Sequence, residues 1–191
     1  MQIDPVAMSE ATFDRLRVIA DEVLTSESDV ITWTRDWWAG SMIAETQGAP
    51  ATSKGAIVRV STVEQIQDVM RLANALAIPV TVSAGRSNVT GAALPLRGGI
   101  VLDVCELNKL IDFDHKARLL TLKPACSATF LNKLSKRVRH DDGPLAVIVW
   151  YQYRGRWVAC RGAGQLSTRY GKIEDMVYGM DVVLMLRVQW A

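Results

Sequence analysis

The run Ser83-Ala84-Gly85-Arg86-Ser87-Asn88-Val89-Thr90-Gly91 concentrates the residue types of this sequence best suited to hold an anion. Small residues let a backbone approach a ligand closely, and successive peptide N–H groups in such a run form a concave nest for negative charge. Ser87, Asn88 and Thr90 add side-chain donors and Arg86 adds a positive charge, a combination suited to a diphosphate. A surface turn using Gly, Ser and Asn for their backbone tolerance is the alternative reading of the same residues. The spacing matches neither the Gly-x-Gly-x-x-Gly dinucleotide fingerprint nor a phosphate loop closing on Gly-Lys-Ser/Thr.

Other chemistry-bearing residues are sparse. Cys105, Cys126 and Cys160 are odd in number and widely spaced. They make neither a disulfide framework nor a zinc pattern, and imply a reducing, cytoplasmic compartment. His115 and His140 lack paired-ligand spacing, which argues against a metal site. A formal net charge of +2 is too small to argue for nucleic acid or an anionic membrane as partner. No apolar run approaches the roughly 20 residues that cross a bilayer. The opening MQIDPVAMSEATFDRL has acids where a signal peptide has a basic head. With 49% apolar and 22% charged residues, the 191-residue chain has a globular composition and room for one substantial domain.

The elements that must position the Ser83–Gly91 run follow from periodicity. Residues 9–24, SEATFDRLRVIADEVL, carry helical spacing behind a Ser9 cap. Trp33, Trp37 and Trp38 cluster next; such a segment can line a cofactor or partner surface, though core packing is its commoner use. TQGAPATSKG reads as a loop and AIVRV as a short strand. STVEQIQDVMRLANALA opens with Ser61 and Glu64 in capping-box spacing, and Val63, Ile66, Val69, Met70 and Ala73 share one helical face. Pro79 ends that helix, PVTVS is the next strand and GIVLDV the one after the Gly-containing loop. LIDFDHKARLLTLKPA reads as two strands joined by a polar turn, and SATFLNKLSKRV as a helix capped by Ser127. A crossover helix between strands implies an α+β or α/β sheet with ligand chemistry at the loop after a strand.

The run from Ile57 to Asp103, IVRVSTVEQIQDVMRLANALAIPVTVSAGRSNVTGAALPLRGGIVLD, resembles the first half of an FAD-binding domain of the vanillyl-alcohol-oxidase (PCMH) type. That group includes FAD-linked D-lactate and glycolate dehydrogenases and alkyldihydroxyacetonephosphate synthase. The resemblance implies a βαββ start whose second strand leads into a loop around the FAD pyrophosphate. Matched residue by residue, that loop is Val82, Ser83, Ala84, Gly85, Arg86, Ser87 and Asn88. Ala84 and Arg86 depart from the commoner Gly-Gly-Gly, and Arg86 is placed to contact phosphate directly.

A second segment, Trp157 to Val177, resembles the domain's later flavin-contacting stretch, in the branch nearest alkyldihydroxyacetonephosphate synthase. The DWW of Asp36-Trp37-Trp38 fits the same branch. By that resemblance Cys160, Arg161, Gly162 and Ala163 lie against the cofactor. No histidine or cysteine is placed for a covalent flavin link, so binding is expected to be non-covalent, and Cys160, though close to the expected site, reads as a small buried residue. Tyr170-Gly171, Asp175 and Val177 would help build the floor of the site, ahead of a strand in GMDVVLML.

Residues 141–156 depart from the pattern. Bulky Trp150, Tyr151, Tyr153 and Arg156 stand where the family has a Ser/Thr-x-Gly-Gly step. A local reading-frame shift is compatible with this stretch, since one codon set for Trp150–Arg156 reads in the next frame as Gly-Ile-Ser-Thr-Val-Gly. A divergent loop is the alternative. The sequence thus implies an α+β fold with an N-terminal helical segment over 1–50 and an incomplete PCMH-type FAD-binding domain over 51–191, its substrate-capping domain absent. The expected function is FAD binding in an oxidoreductase of the 2-hydroxy-acid dehydrogenase or alkyldihydroxyacetonephosphate synthase kind, the fragment alone being inactive. A truncated, non-catalytic remnant or interaction module is the alternative. No catalytic residue or substrate is assigned.

Overall fold

The computed structural model describes residues 6–48, 55–114, 116–117, 119–126, 158–163 and 167–185. It divides into two compact units, Met1–Glu106 with Val182–Ala191, and Leu107–Asp181.

The first unit is built on a four-stranded sheet flanked by helices. Helix α1 (Glu10–Ile19) starts as expected behind Ser9, whose hydroxyl accepts a hydrogen bond from the Thr12 N–H at 3.3 Å. It ends earlier than its periodicity implied, because residues 22–24 form strand β1 (Glu22–Leu24). That strand pairs antiparallel with β2 (Ala56–Arg59), Val23 opposite Val58. Pairing across the sheet, with an ion pair from Glu22 to Arg59, overrides a helical pattern that was only local. Helices α2 (Glu27–Trp33) and α3 (Ala39–Thr46) follow β1.

Strands β2, β3 (Val80–Ser83) and β4 (Ile100–Asp103) are parallel, and the sheet order is β1-β2-β4-β3. The central pair reads as unbroken apolar runs, as expected for strands covered on both faces. Ile57, Val58, Ile100, Val101 and Leu102 are all buried. Helix α4 (Val63–Ala75) makes the crossover from β2 to β3 and buries Val69, Leu72 and Ala73.

The cap of α4 lies one residue later than its sequence implied. Thr62 is the N-cap: its hydroxyl accepts from the Gln65 N–H at 3.2 Å, while Gln65 Oε1 accepts from the Thr62 N–H at 3.1 Å. Gln65 also accepts from the Ser61 N–H at 2.9 Å and donates to Asp21 at 2.8 Å, so one amide satisfies the helix start and ties it to the α1–β1 turn. Hydrogen bonds from Gln65 and then Ser61 hold the Asp21 carboxyl below the ordinary range. Glu64 contributes an acid to the first turn and no reciprocal cap. At the far end the helix stops at Ala75 and the chain reverses at Ala77 (φ +53°), ahead of Pro79.

The three parallel strands begin in tight register at Gly99. Its carbonyl accepts from the Ala56 N–H at 3.0 Å, and the Pro79 carbonyl accepts from the Ile100 N–H at 2.9 Å. Gly99 has φ +80°, and a Cβ there would stand 2.4 Å from the Pro79 oxygen, so only glycine fits.

In the second unit β5 (Leu110–Asp114) and β6 (Leu119–Leu122) form the expected antiparallel pair. Asp114 Oδ1 accepts from the N–H groups of Lys116 and Ala117 at 2.8 Å, a side-chain-built turn. A short helix α5 (Ser167–Tyr170) and a 3₁₀ turn (Ile173–Met176) follow. From Gly179 to Met185 the expected strand does not form: no ladder partner occurs among the described residues, and Met180, Val182 and Leu184 are exposed. The helix expected after Ser127, both histidines and the 141–156 stretch lie outside the described residues. Helices and strands alternate in the first unit and a hairpin dominates the start of the second, which is an α+β arrangement.

Candidate functional site

Arg59, Asp103 and Ser83 end their strands in one row, since β2 pairs Arg59 with Asp103 and β3 pairs Ser83 with Asp103. The carboxyl ends of parallel strands are where open sheets of this kind carry ligands. Asp103 is 2% exposed, and its buried charge is answered. One oxygen accepts from Arg59 Nε at 3.3 Å and the other from the Cys105 N–H at 3.0 Å. Arg59 also pairs with Glu22, so the row is clamped across three strands.

The loop expected to meet a diphosphate leaves β3 from this row. Val82 is exposed on the edge strand, while Ser83 and Ala84 are buried and Gly85 through Asn88 are half-buried. The Ser83 hydroxyl, on a residue 1% exposed, has no hydrogen-bond partner among the described residues. The same holds for both Asn88 amide atoms, Oδ1 and Nδ2. Buried polar groups are almost always paired, so these two side chains, five residues apart in one loop, have hydrogen-bonding capacity left for an external partner. A hydroxyl and an amide are donors suited to diphosphate oxygens, and this fits the group that the sequence implies.

Arg86 has partners within the chain. Its backbone is left-handed (φ +50°). Its guanidinium lies 4.2 Å from the centroid of the Trp33 ring, and Nη1 donates to the Thr32 carbonyl at 2.9 Å. The charge is engaged with the end of α2. Trp33 also carries the Arg59 guanidinium, 4.5 Å from its centroid.

The tryptophan cluster does not enter the core as expected. Trp33 is half-buried, while Trp37 and Trp38 are 63% and 43% exposed. Their backbones explain the arrangement: the Trp37 N–H donates to the Asn88 carbonyl at 3.0 Å, and the Trp38 N–H donates to buried Asp36 at 2.9 Å. The segment is held as a brace against the loop. Sequence reasoning missed Thr32, Trp33, Asp36 and Arg59 as supports. The available signal was a non-glycine at position 86 of a run whose conformation favours glycine.

In the second unit Cys160, Arg161, Gly162 and Ala163 form an exposed turn closed by the Arg161 N–H on the Val158 carbonyl at 3.0 Å. Cys160 is exposed, contrary to the expected buried role. Arg161 reaches Glu174 at 3.4 Å. Gly171 ends α5 at φ +81°, and the Asp175 carboxylate accepts from the Lys172 N–H at 2.7 Å. Among the described residues no cluster of His, Cys, Asp and Glu has metal-binding geometry, and no helix is long and apolar enough to cross a membrane.

Comparison with known proteins gives this arrangement a context. The family described as "FAD binding domain" matches residues 55–186. D-2-hydroxyglutarate dehydrogenase of Xanthomonas citri pv. viticola is 30% identical over 79% of the chain and 29% of its own length. D-lactate dehydrogenase of Anaerostipes hadrus is 27% identical over 67% of the chain and 27% of its own length. The chain therefore spans less than a third of either relative. A solved alkyldihydroxyacetonephosphate synthase superposes with a TM-score of 0.76 at 22% identity, over 93% of the chain and 33% of that structure. Substrate-bound p-cresol methylhydroxylase gives 0.55 at 20% identity, over 71% and 27%. At these identities the structural matches establish the fold.

Proposed function

The chain belongs to the FAD-binding-domain family, with FAD as its cofactor, and from that premise we propose that it is the cofactor-holding part of an enzyme oxidising a D-2-hydroxy acid. The unpartnered Ser83 hydroxyl and Asn88 amide in the loop after β3 are the observation that carries the binding part of this reading. The names of the two dehydrogenase relatives support the substrate class. The synthase match, at 22% identity, weighs on fold alone.

In this reading the N–H groups of 84–88 and the side chains of Ser83, Ser87 and Asn88 hold the pyrophosphate, while small Ala84 and Gly85 permit the close approach and Val82 leads into the loop. Cys160, Arg161, Gly162 and Ala163 enter as a second contact by resemblance. When bound, FAD supplies the two-electron acceptor for oxidation at the substrate's C2 carbon. Residues 51–191 are the cofactor-binding domain, with the helices of 1–50 bracing its loop. The chain spans less than a third of either dehydrogenase relative, and in this reading it holds FAD without turnover on its own. The odd number and wide spacing of Cys105, Cys126 and Cys160 favour a reducing, cytoplasmic setting.

Purified chain should retain yellow flavin or take it up from solution. Ser87→Trp, which fills the loop with an indole, should abolish retention while leaving the circular dichroism spectrum unchanged. Unaltered FAD affinity in that variant would remove residues 82–88 from the site. With oxygen excluded, D-lactate and D-2-hydroxyglutarate should leave the flavin absorbance intact, and bleaching would show that the chain is catalytic as it stands.

A further inference from the structure

We propose that Trp33 is the positioning residue of the cofactor loop, acting through Arg86, whose guanidinium is a strut to helix α2 rather than a ligand of the diphosphate. The inference rests on reading residues 82–88 as the cofactor loop.

The left-handed backbone at Arg86 is unfavourable for a residue with a Cβ, so something must hold it there. Two contacts do. Helix α2 ends without a basic residue in its last turn. The final carbonyls of any helix lack intrahelical partners and carry the negative end of its dipole. Arg86, far along the chain, supplies the missing cation at the Thr32 carbonyl, 2.9 Å away. The Trp33 ring, one residue further, lies under the same guanidinium at 4.2 Å.

Trp33 is itself fixed to the sheet. Arg59 stacks on it at 4.5 Å and is held by Asp103 and Glu22 at the strand ends. Two guanidinium groups sharing one ring repel each other, and a further partner for each offsets that repulsion. Arg59 has its carboxylates and Arg86 has the helix carbonyl. Contacts therefore run without a break from the Glu22–Arg59–Asp103 row through Trp33 to the loop. Asp103 is also the register partner of Ser83, where the loop begins. The loop is thereby anchored at its start by the sheet and at its middle by Trp33. A loop held in its binding conformation loses less freedom when ligand arrives, which raises affinity without a new contact.

FAD dissociation constants of the full chain, read from flavin fluorescence, test the coupling. Trp33→Leu and Arg86→Met should each weaken binding about tenfold. The double variant should also sit near tenfold rather than a hundredfold, because both remove one strut. Trp33→Tyr, which keeps an aromatic face, should recover most of the loss. If Arg86→Met costs the same factor in the Trp33→Leu background as in the wild type, Arg86 contacts the diphosphate itself and the proposal is overturned.

A second measurement needs no ligand. Amide hydrogen exchange of residues 84–91 should accelerate about tenfold in both single variants, while β2 and β4 keep their protection. Arg86→Met removes a loop side chain outside the core, so this arm stands even if Trp33→Leu unfolds. Unchanged loop exchange in Arg86→Met overturns the strut. Failure of the wild-type chain to bind FAD would instead overturn the cofactor reading, and the exchange arm would still decide the role of Trp33.

Discussion

Ser83 pairs two properties that packing alone does not reconcile, a side chain 1% exposed and a hydroxyl without a partner among the described residues. If the hydroxyl exists for the ligand, removing it should have opposite effects on stability and binding. Ser83→Ala should raise the stability of ligand-free protein by roughly 1 kcal/mol, the cost of an unmet buried donor. It should lower FAD affinity several-fold. Urea midpoints with and without FAD check both signs, and a loss of stability in the ligand-free protein would show that the hydroxyl is structural. That a run of Gly, Ser, Asn and Arg follows a strand was legible from the sequence. What each side chain does was not. Arg86 has the charge a diphosphate wants, yet its partner, the Thr32 carbonyl, lies 54 residues away and belongs to a backbone group that no pattern of side chains reports.

Among the elements, the strongly periodic ones follow from the sequence, whereas helices α2 and α3 and strand β1 do not. Helix α4 and the parallel strands β2, β3 and β4 follow from apolar spacing within each segment. The residues of β1 looked helical because Val23 and Leu24 continue the period of α1, and only pairing with Val58 and Ile57 makes them a strand. The tryptophans looked like core because apolar area is what composition reports, whereas their backbone bonds to Asn88 and Asp36 decide where they sit. The start of α4 was misread by one residue because Ser61–Glu64 and Thr62–Gln65 both have the capping-box spacing. The structure chooses the second, since Gln65 can reach Asp21 as well. Thr62→Ala should therefore cost about 1 kcal/mol, the usual worth of an N-cap hydroxyl. Ser61→Ala, at an exposed position whose hydroxyl is no cap, should stay within about 0.5 kcal/mol. Thermal melts of the two variants decide the register, and the reverse order would restore the Ser61 cap.

At the scale of the molecule, the family match runs through both compact units, from residue 55 to residue 186. The loop after β3 that is proposed to hold the cofactor belongs to the first unit. The contribution of the second rests on the Cys160–Ala163 turn, and an exposed thiol there makes it measurable. Saturating FAD stabilises any domain that binds it only when folded, by about 2.7 kcal/mol at a hundredfold excess over the dissociation constant. A rise in melting temperature thus reports binding without saying where. Maleimide labelling does say where. In ligand-free protein Cys160 should react fast and buried Cys126 slowly, and FAD should slow Cys160 without changing Cys126. If FAD raises the melting temperature and Cys160 labels at its original rate, the turn at 160–163 is not a cofactor contact and binding belongs to the loop after β3. If both change together, the second segment is part of the site, and the resemblance that pointed to it from Trp157 to Val177 was reading chemistry as well as ancestry.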